Sequence, residues 1–315
     1  MSTDSNTIGL FGTGLLGRAL AHRFLAAGFT VLGYDPSPAA LQQFDRLGGT
    51  PVEPSTAAEA DFVVLCLPDS NCVESLLADI SSRLRSNAIV IDTTTGDPGV
   101  SRQLAENLRR RSIRFVDASV LGSSEVTAEG NAVLLAGGTE EAIAECRAVL
   151  LAVSEQLFHT GEAGSGQQMK LVANLVLGLN RAALAEGLHF AASFGMNLHT
   201  VLDVLKSGAA YSRAMDAKGL RMVEQSFEPQ ARLSQHLKDV RLMLSHAQQT
   251  NTCLPLTQLH ERLLQQAESA GYGSSDNSAV IKAWQITDRE KTDDEKSWNP
   301  AESDERSTPN HVPRG

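Results

Sequence analysis

The sequence predicts an α/β protein in two parts, a doubly wound parallel sheet over residues 1–162 and an all-α domain over residues 163–286. Three observations carry that reading. Apolar runs of strand length alternate with helical stretches through the first half, the pattern of strands buried on both faces between crossover helices. A glycine-rich turn separates the first run from the first helical stretch. Beyond about Gly164, runs of β-branched residues give way to long helical patterns. At 315 residues the chain is also too long for one ordinary core.

In order, residues 8–11 form the first apolar run, and residues 15–27 have helical periodicity that stops at Gly28, a good C-cap residue. Residues 30–34 are the second run and residues 38–47 the second helix. Residues 61–67 (DFVVLCL), 88–92 (AIVID), 115–120 and 131–136 (NAVLLA) each read as a strand. A helix over 140–151 and a last strand over 156–159 complete the first domain, with its boundary near 160–164. The second domain is expected to hold helices over 170–194, 200–206, 233–250 and 257–269. Residues 287–315 are polar, charge-mixed and nearly free of aliphatic side chains, which predicts a disordered tail.

The hydrophobic fraction of 42% and charged fraction of 20% are those of an ordinary soluble protein. A net charge of −10 argues against nucleic acid or an anionic membrane as partner, although it leaves room for a small anionic ligand. No continuous apolar run approaches the roughly 20 residues that span a bilayer. Residues 1–7 lack the basic and apolar regions of a secretory leader. Cys66, Cys72, Cys146 and Cys253 make no CxxC, and the eight histidines fall at no ligand or triad spacing, so no metal site is predicted. Free thiols fit a reducing compartment, and the cytoplasm is the expected location.

Gly12-Thr13-Gly14-Leu15-Leu16-Gly17 fits GxGxxG, and it follows a strand, opens a helix and begins a βαβ unit. Gly12 permits the tight turn, Gly14 lets backbone approach a pyrophosphate, and Gly17 lets the helix pack on the strand. Backbone N–H groups and the positive helix end then face phosphates. Asp35 ends the second strand, where a carboxylate can accept from adenosine ribose hydroxyls and would repel a 2′-phosphate. NAD is therefore expected rather than NADP. The plainer alternative for Asp35 is a cap on the following turn. Leu67-Pro68-Asp69 and Thr93-Thr94-Thr95 follow later strands and are placed to line the same cleft, or simply to make turns.

Gly164-Ser165-Gly166-Gln167-Gln168-Met169-Lys170 reads as a helix start, with Ser165 and Gln168 at capping-box spacing. Lys170 and Asn174 share one helix face among apolar neighbours. A desolvated lysine there has a lowered pKa and could exchange a proton with a substrate hydroxyl, which Asn174 could orient. The competing view is an exposed lysine on a helix end. Lys238-Asp239, adjacent in sequence and so on different faces, reads from pattern as a solvated charge pair.

Together these segments resemble the β-hydroxyacid dehydrogenase family of the 3-hydroxyisobutyrate dehydrogenase type, whose nucleotide domain is similar to that of 6-phosphogluconate dehydrogenase. The matching segments are Gly9–Gly17, Asp117-Ala-Ser-Val-Leu-Gly-Ser123, the Gly164–Asn174 helix, Lys238-Asp239, and more weakly residues 271–279. The resemblance implies an NAD(P)-binding Rossmann domain, a long interdomain helix and an all-α domain that makes homodimers or homotetramers. It implies hydride transfer between a nicotinamide cofactor and a small β-hydroxy acid or semialdehyde acid. Lys170 would move the proton, Asn174 would orient substrate, Lys238 would lie by nicotinamide and substrate, and Thr95 would line the cofactor site. Ser119, Leu121, Gly122 and Ser123 would form the substrate segment. That segment departs from the family's D-x-P-V-S-G-G, because Ser119, Leu121 and Ser123 replace Pro, Ser and Gly. Leu121 removes a hydroxyl donor and adds bulk, which points to a larger apolar substituent or an anionic group held differently. Two alternatives remain: an imine reductase on the same scaffold, which Lys170 argues against, and a cofactor-binding regulatory protein without catalysis.

Overall fold

A computed structural model of the protein describes residues 6–286; the expected disordered tail lies outside them. Its contacts divide the chain into two compact units, one running to Leu177 and including Lys238–Cys253, the other comprising Gly178–Leu237 and the residues from Leu254 onward. The first unit is the sheet domain. Its strands are β1 (Thr7–Phe11), β2 (Thr30–Tyr34), β3 (Thr50–Pro51), β4 (Phe62–Leu65), β5 (Ile89–Asp92), β6 (Arg114–Leu121), β7 (Val133–Gly137) and β8 (Gln156–Gly161). They lie in the order β3-β2-β1-β4-β5-β6-β7-β8. The chain fills one side of β1 first and the other side afterwards, so the order reverses between β1 and β4. The crevice outside the carboxyl ends of those two strands is where open α/β sheets bind ligands.

Side chains alternate across the sheet as the pleat requires. Ile8, Leu10, Val64, Ile91, Val116 and Ala118 pack on one face, while Phe11, Val63, Leu65, Val90 and Phe115 pack on the other. Helices cover both faces: α1 (Leu15–Ala26), α2 (Pro38–Arg46), α3 (Pro54–Ala58), α4 (Ser70–Ile80), α5 (Pro98–Arg109), α6 (Ser124–Ala128) and α7 (Glu140–Val153). The sequence pattern did not expose α4 and α5. Among the residues of α5, Pro98, Ser101 and Leu108 are buried, and Leu104 and Ala105 pack against the same core. The expectation of an entirely parallel sheet is corrected at one pairing, since β6 and β7 run antiparallel. Residues 122–132 hold only a short helix, and a parallel crossover needs a dozen residues or more.

Helix α8 (Ser165–Ser193) contributes its first half to the sheet unit and its second to the helical unit, which also holds α9 (Leu198–Ser207), α10 (Leu220–Val223), the start of α11 (Leu233–Gln249) and α12 (Pro255–Ala267). Although no continuous apolar run reaches bilayer length, α8 is by length and composition alone apolar enough to cross a membrane, with 44% of its most apolar window buried inside the protein. Leu188, Leu202, Met222, Leu237 and Leu264 are buried in the helical unit. Asp276 ties it together: its carboxylate accepts from Lys218 Nζ at 2.8 Å, from the N–H groups of Gln230 and Ala231, and from Ser278.

Candidate active site

The glycine loop follows β1 and opens α1, as its spacing requires. Gly12 sits at φ +92°, and a Cβ there would stand 2.1 Å from the Cys66 carbonyl oxygen. A Cβ at Gly17 would meet the Gly12 oxygen at 1.9 Å. Gly14, by contrast, has nothing within 4 Å of its Cβ position, leaving its backbone open to an approaching group. No side chain caps α1 and its first turn carries no acidic residue, so its positive end is available to an anion. These features fit a dinucleotide pyrophosphate.

The loop residues then divide by role. Leu15 is exposed, whereas Leu16 packs its side chain against the sheet core and can offer only backbone. Thr13 is buried, and its N–H donates to Asp35 Oδ2 at 2.7 Å instead of facing the cleft. Asp35 Oδ1 accepts from Ser37 N at 2.9 Å, so Asp35 both caps its turn and braces the loop. Arg18, which the sequence reading passed over, donates from Nη1 to the Thr13 carbonyl at 3.0 Å and sets a cation beside the loop.

The start of α8 is built differently from expectation. Ser165 Oγ pairs with Thr160 Oγ1, and the capping acceptor is Asp117 from β6, which takes the N–H groups of Gly164 at 2.6 Å and Gln167 at 2.8 Å. Burial pushes the Asp117 carboxyl up to about 7 against those two donors. One turn on, Lys170 is 9% exposed and donates from Nζ to the Val120 carbonyl at 2.5 Å. Burial pushes its ammonium down to about 8, with the Asp239 carboxylate opposing. Lys170 is thus a desolvated lysine and not an exposed one.

Asn174 is buried and donates from Nδ2 to Asp239 Oδ2 at 3.2 Å. The reading of Lys238-Asp239 as a solvated pair is overturned, because Asp239 is buried and its Oδ1 lies 3.7 Å from Lys238 Nζ. Burial raises the Asp239 pKa, while Lys238 and Lys170 pull it down. Lys238 Nζ also donates to the carbonyls of Pro68 at 2.9 Å and Thr95 at 3.3 Å. It ties together the loops that follow β4 and β5. Leu67 N donates to Thr94 Oγ1, which joins the same two loops a second time.

The substrate segment is absorbed in part by the fold. Ser119 is buried and donates to Gln167 Oε1 at 3.1 Å. Ser123 caps α6, accepting from Val126 N at 3.2 Å. Gly122 is exposed and Leu121 half-buried. Among the described residues no group of three His, Cys, Asp or Glu side chains converges to hold a metal ion.

A sheet that reverses direction at a glycine loop, with a buried lysine at the foot of a following helix, defines a nucleotide-dependent oxidoreductase scaffold. Residues 7–161 match the model for the NAD binding domain of 6-phosphogluconate dehydrogenase, and residues 164–284 match that for the NAD-binding domain of NADP-dependent 3-hydroxyisobutyrate dehydrogenase. The chain is 27% identical over 284 residues to 2-(hydroxymethyl)glutarate dehydrogenase of Eubacterium barkeri, covering 88% of this chain and 94% of that one. The crystal structure of a 3-hydroxyisobutyrate dehydrogenase from Salmonella typhimurium superposes with a TM-score of 0.81 at 27% identity, covering 88% of this chain and 99% of that one. The cytokine-like nuclear factor N-PAC of Drosophila melanogaster is 27% identical over 286 residues; the match covers 88% of this chain and 47% of that longer protein. The chain belongs to the β-hydroxyacid dehydrogenase family, and it binds a nicotinamide cofactor.

Proposed function

We propose that the protein transfers a hydride between a nicotinamide dinucleotide and a small β-hydroxy acid or semialdehyde acid. The observation that carries this is Lys170, buried, shifted to about 8 and flanked by Asn174 and Asp239. When bound, the nicotinamide supplies the acceptor or donor of hydride. The chain's own part is the proton. In oxidation, neutral Lys170 takes the hydroxyl proton as hydride leaves the carbinol carbon; in reduction, the ammonium returns a proton to the new alkoxide. Asn174, fixed by Asp239, orients the hydroxyl, and Lys238 holds together the loops after β4 and β5 that would line the cofactor site.

NAD is the favoured cofactor, supported by the Asp35 carboxylate beside the loop. The substrate's distinguishing group faces Leu121. Along β6, Asp117, Ser119 and Leu121 share one face by the pleat, and the first two bond to the start of α8. Leu121 therefore lies on the side of the strand where Lys170 stands, and favours an apolar substituent there. A homodimer or homotetramer is favoured by Met169, Val172 and Val176, which leave an apolar stripe exposed on α8. A reducing, cytoplasmic setting fits four unpaired cysteines.

The test is an NAD- and NADP-linked screen of short hydroxy acids and semialdehydes, with Lys170→Ala in parallel. At least one substrate should turn over, and the variant should lose about 10²–10⁴ in kcat while binding cofactor normally. A near-normal kcat in the variant refutes the role of Lys170. Tight cofactor binding with no turnover across the panel refutes the activity itself.

A further inference from the structure

We propose that Gln167 is a positioning residue that locks the loop after β5 to the turn of α8 carrying Lys170; the inference rests on the activity proposed above. Its side chain is fully buried, an uncommon place for a glutamine. Oε1 accepts from Gly96 N at 3.0 Å and from Ser119 Oγ at 3.1 Å, while Nε2 donates to the Thr94 carbonyl at 2.5 Å. Its backbone N–H donates to Asp117. The amide can sit only one way round, because Gly96 presents a donor and Thr94 an acceptor.

Each partner leads to the site. Thr94 and Gly96 flank Thr95, whose carbonyl takes Lys238. Ser119 precedes Val120, whose carbonyl takes the Lys170 ammonium. Gln167 and Lys170 are three residues apart and share a helix face. One amide therefore sets the distance between the cofactor-side loop and the proton-transferring lysine. A shift of about 1 Å in such a distance costs on the order of a hundredfold in rate.

The chemistry of the amide offers a specific test. A neutral carboxylic acid presents one acceptor and one donor, as the amide does, whereas an ionised carboxylate turns a second acceptor on the Thr94 carbonyl. Steady-state kinetics and NADH fluorescence titration are run on wild type, Gln167→Glu and Gln167→Met, from about pH 5 to about pH 9. Gln167→Met should lose about tenfold to a hundredfold in kcat/KM at every pH, with weaker NADH binding. Gln167→Glu should approach wild type at acid pH and fall away from it by about tenfold as the carboxyl ionises. Taking the ratio to wild type removes the pH profile of Lys170. A residue that only stabilises the fold would lower the melting temperature without a pH-dependent ratio. Ratios that stay flat and within about threefold of wild type overturn the proposal. If Gln167→Met does not fold, Gln167→Glu decides alone. If wild type turns over no substrate, the activity reading fails separately, and the NADH titration still decides: pH-dependent weakening in Gln167→Glu supports the lock, and unchanged binding overturns it.

Discussion

Replacing Asp239 by asparagine isolates the charge that tunes Lys170. Asp239→Asn keeps a side-chain oxygen for Asn174 Nδ2 and removes only the negative charge that opposes burial of the lysine. An opposite charge in a site of this kind moves a pKa by roughly 1–3 units. Taking the low end, the Lys170 midpoint falls about one pH unit below its value of about 8. At pH 7 the neutral fraction then rises from roughly a tenth to about a half. Alcohol oxidation uses the neutral amine, so its rate at pH 7, taken relative to its own alkaline plateau, should rise about fivefold. Reduction uses the ammonium, so its rate should begin to fall about one pH unit earlier than in wild type. The assay is the pH profile of kcat in both directions at saturating cofactor and substrate. An unchanged or upward midpoint refutes the coupling between Asp239 and Lys170.

Three further perturbations probe the cofactor loop and the helical unit. Asp35→Asn should shift the ratio of NADP to NAD dissociation constants about tenfold toward NADP, measured by fluorescence titration, and an unmoved ratio removes Asp35 from ribose recognition. Gly12→Ala puts a Cβ 2.1 Å from the Cys66 oxygen at φ +92°, so cofactor should no longer raise its melting temperature; a normal ligand-induced rise would refute the close packing. Asp276→Ala leaves the Lys218 ammonium without its carboxylate and should cost about 3–5 kcal/mol in urea unfolding at neutral pH. Burial pushes the Asp276 carboxyl up, but Lys218 and Ser278 outweigh it and hold it at about 2. A depressed folded pKa stabilises above the ordinary carboxylate range and is lost as pH falls toward 2. The gap between wild type and Asp276→Ala should therefore narrow in acid, and a constant gap would refute the ion pair.

What was legible in the sequence was whatever depends on neighbours along the chain. The strands other than β3, together with α1, α2, α7 and the glycine loop, announce themselves by periodicity, by φ demands and by local caps, whereas the two-residue β3 is too short to show a pattern. The pairing of Lys170 with Asn174 is legible for the same reason, since four residues make one helical turn. Contacts made across the fold were not. Asp117 caps α8 from a strand 47 residues away in sequence, and no pattern at residues 164–168 reveals it. Lys238-Asp239 looked solvated because adjacent helical residues diverge, yet it is that divergence that lets Lys238 reach the loop carbonyls while Asp239 turns to Asn174. Gln167 carried no signal beyond being a polar residue in a helix start.

The same distinction bears on the substrate segment, where sequence showed three departures of apparently equal weight. The structure accounts for two of them by hydrogen bonds inside the fold, one across it and one local. Ser119, standing where the family has proline, has a hydroxyl to give, and it gives it to Gln167 inside the fold. Ser123, standing where the family has glycine, has its oxygen engaged at the N-terminus of α6, accepting from Val126 N. Leu121 alone has no such outlet. It pairs with Val133 in the ladder, stays half-buried and lies next to the carbonyl that receives Lys170. A hydrogen bond to a charged group is worth roughly 1.5–3 kcal/mol, so exchanging a hydroxyl for an isobutyl group there shifts preference between substrates by about tenfold or more. Lys170, Asn174 and Asp239 come from other elements and are untouched by that exchange. The proton chemistry can therefore be kept while the substrate changes, and Leu121→Ser should restore affinity for a short hydroxy acid without moving the pH midpoint of kcat. A moved midpoint would mean that the segment and the lysine are not separable.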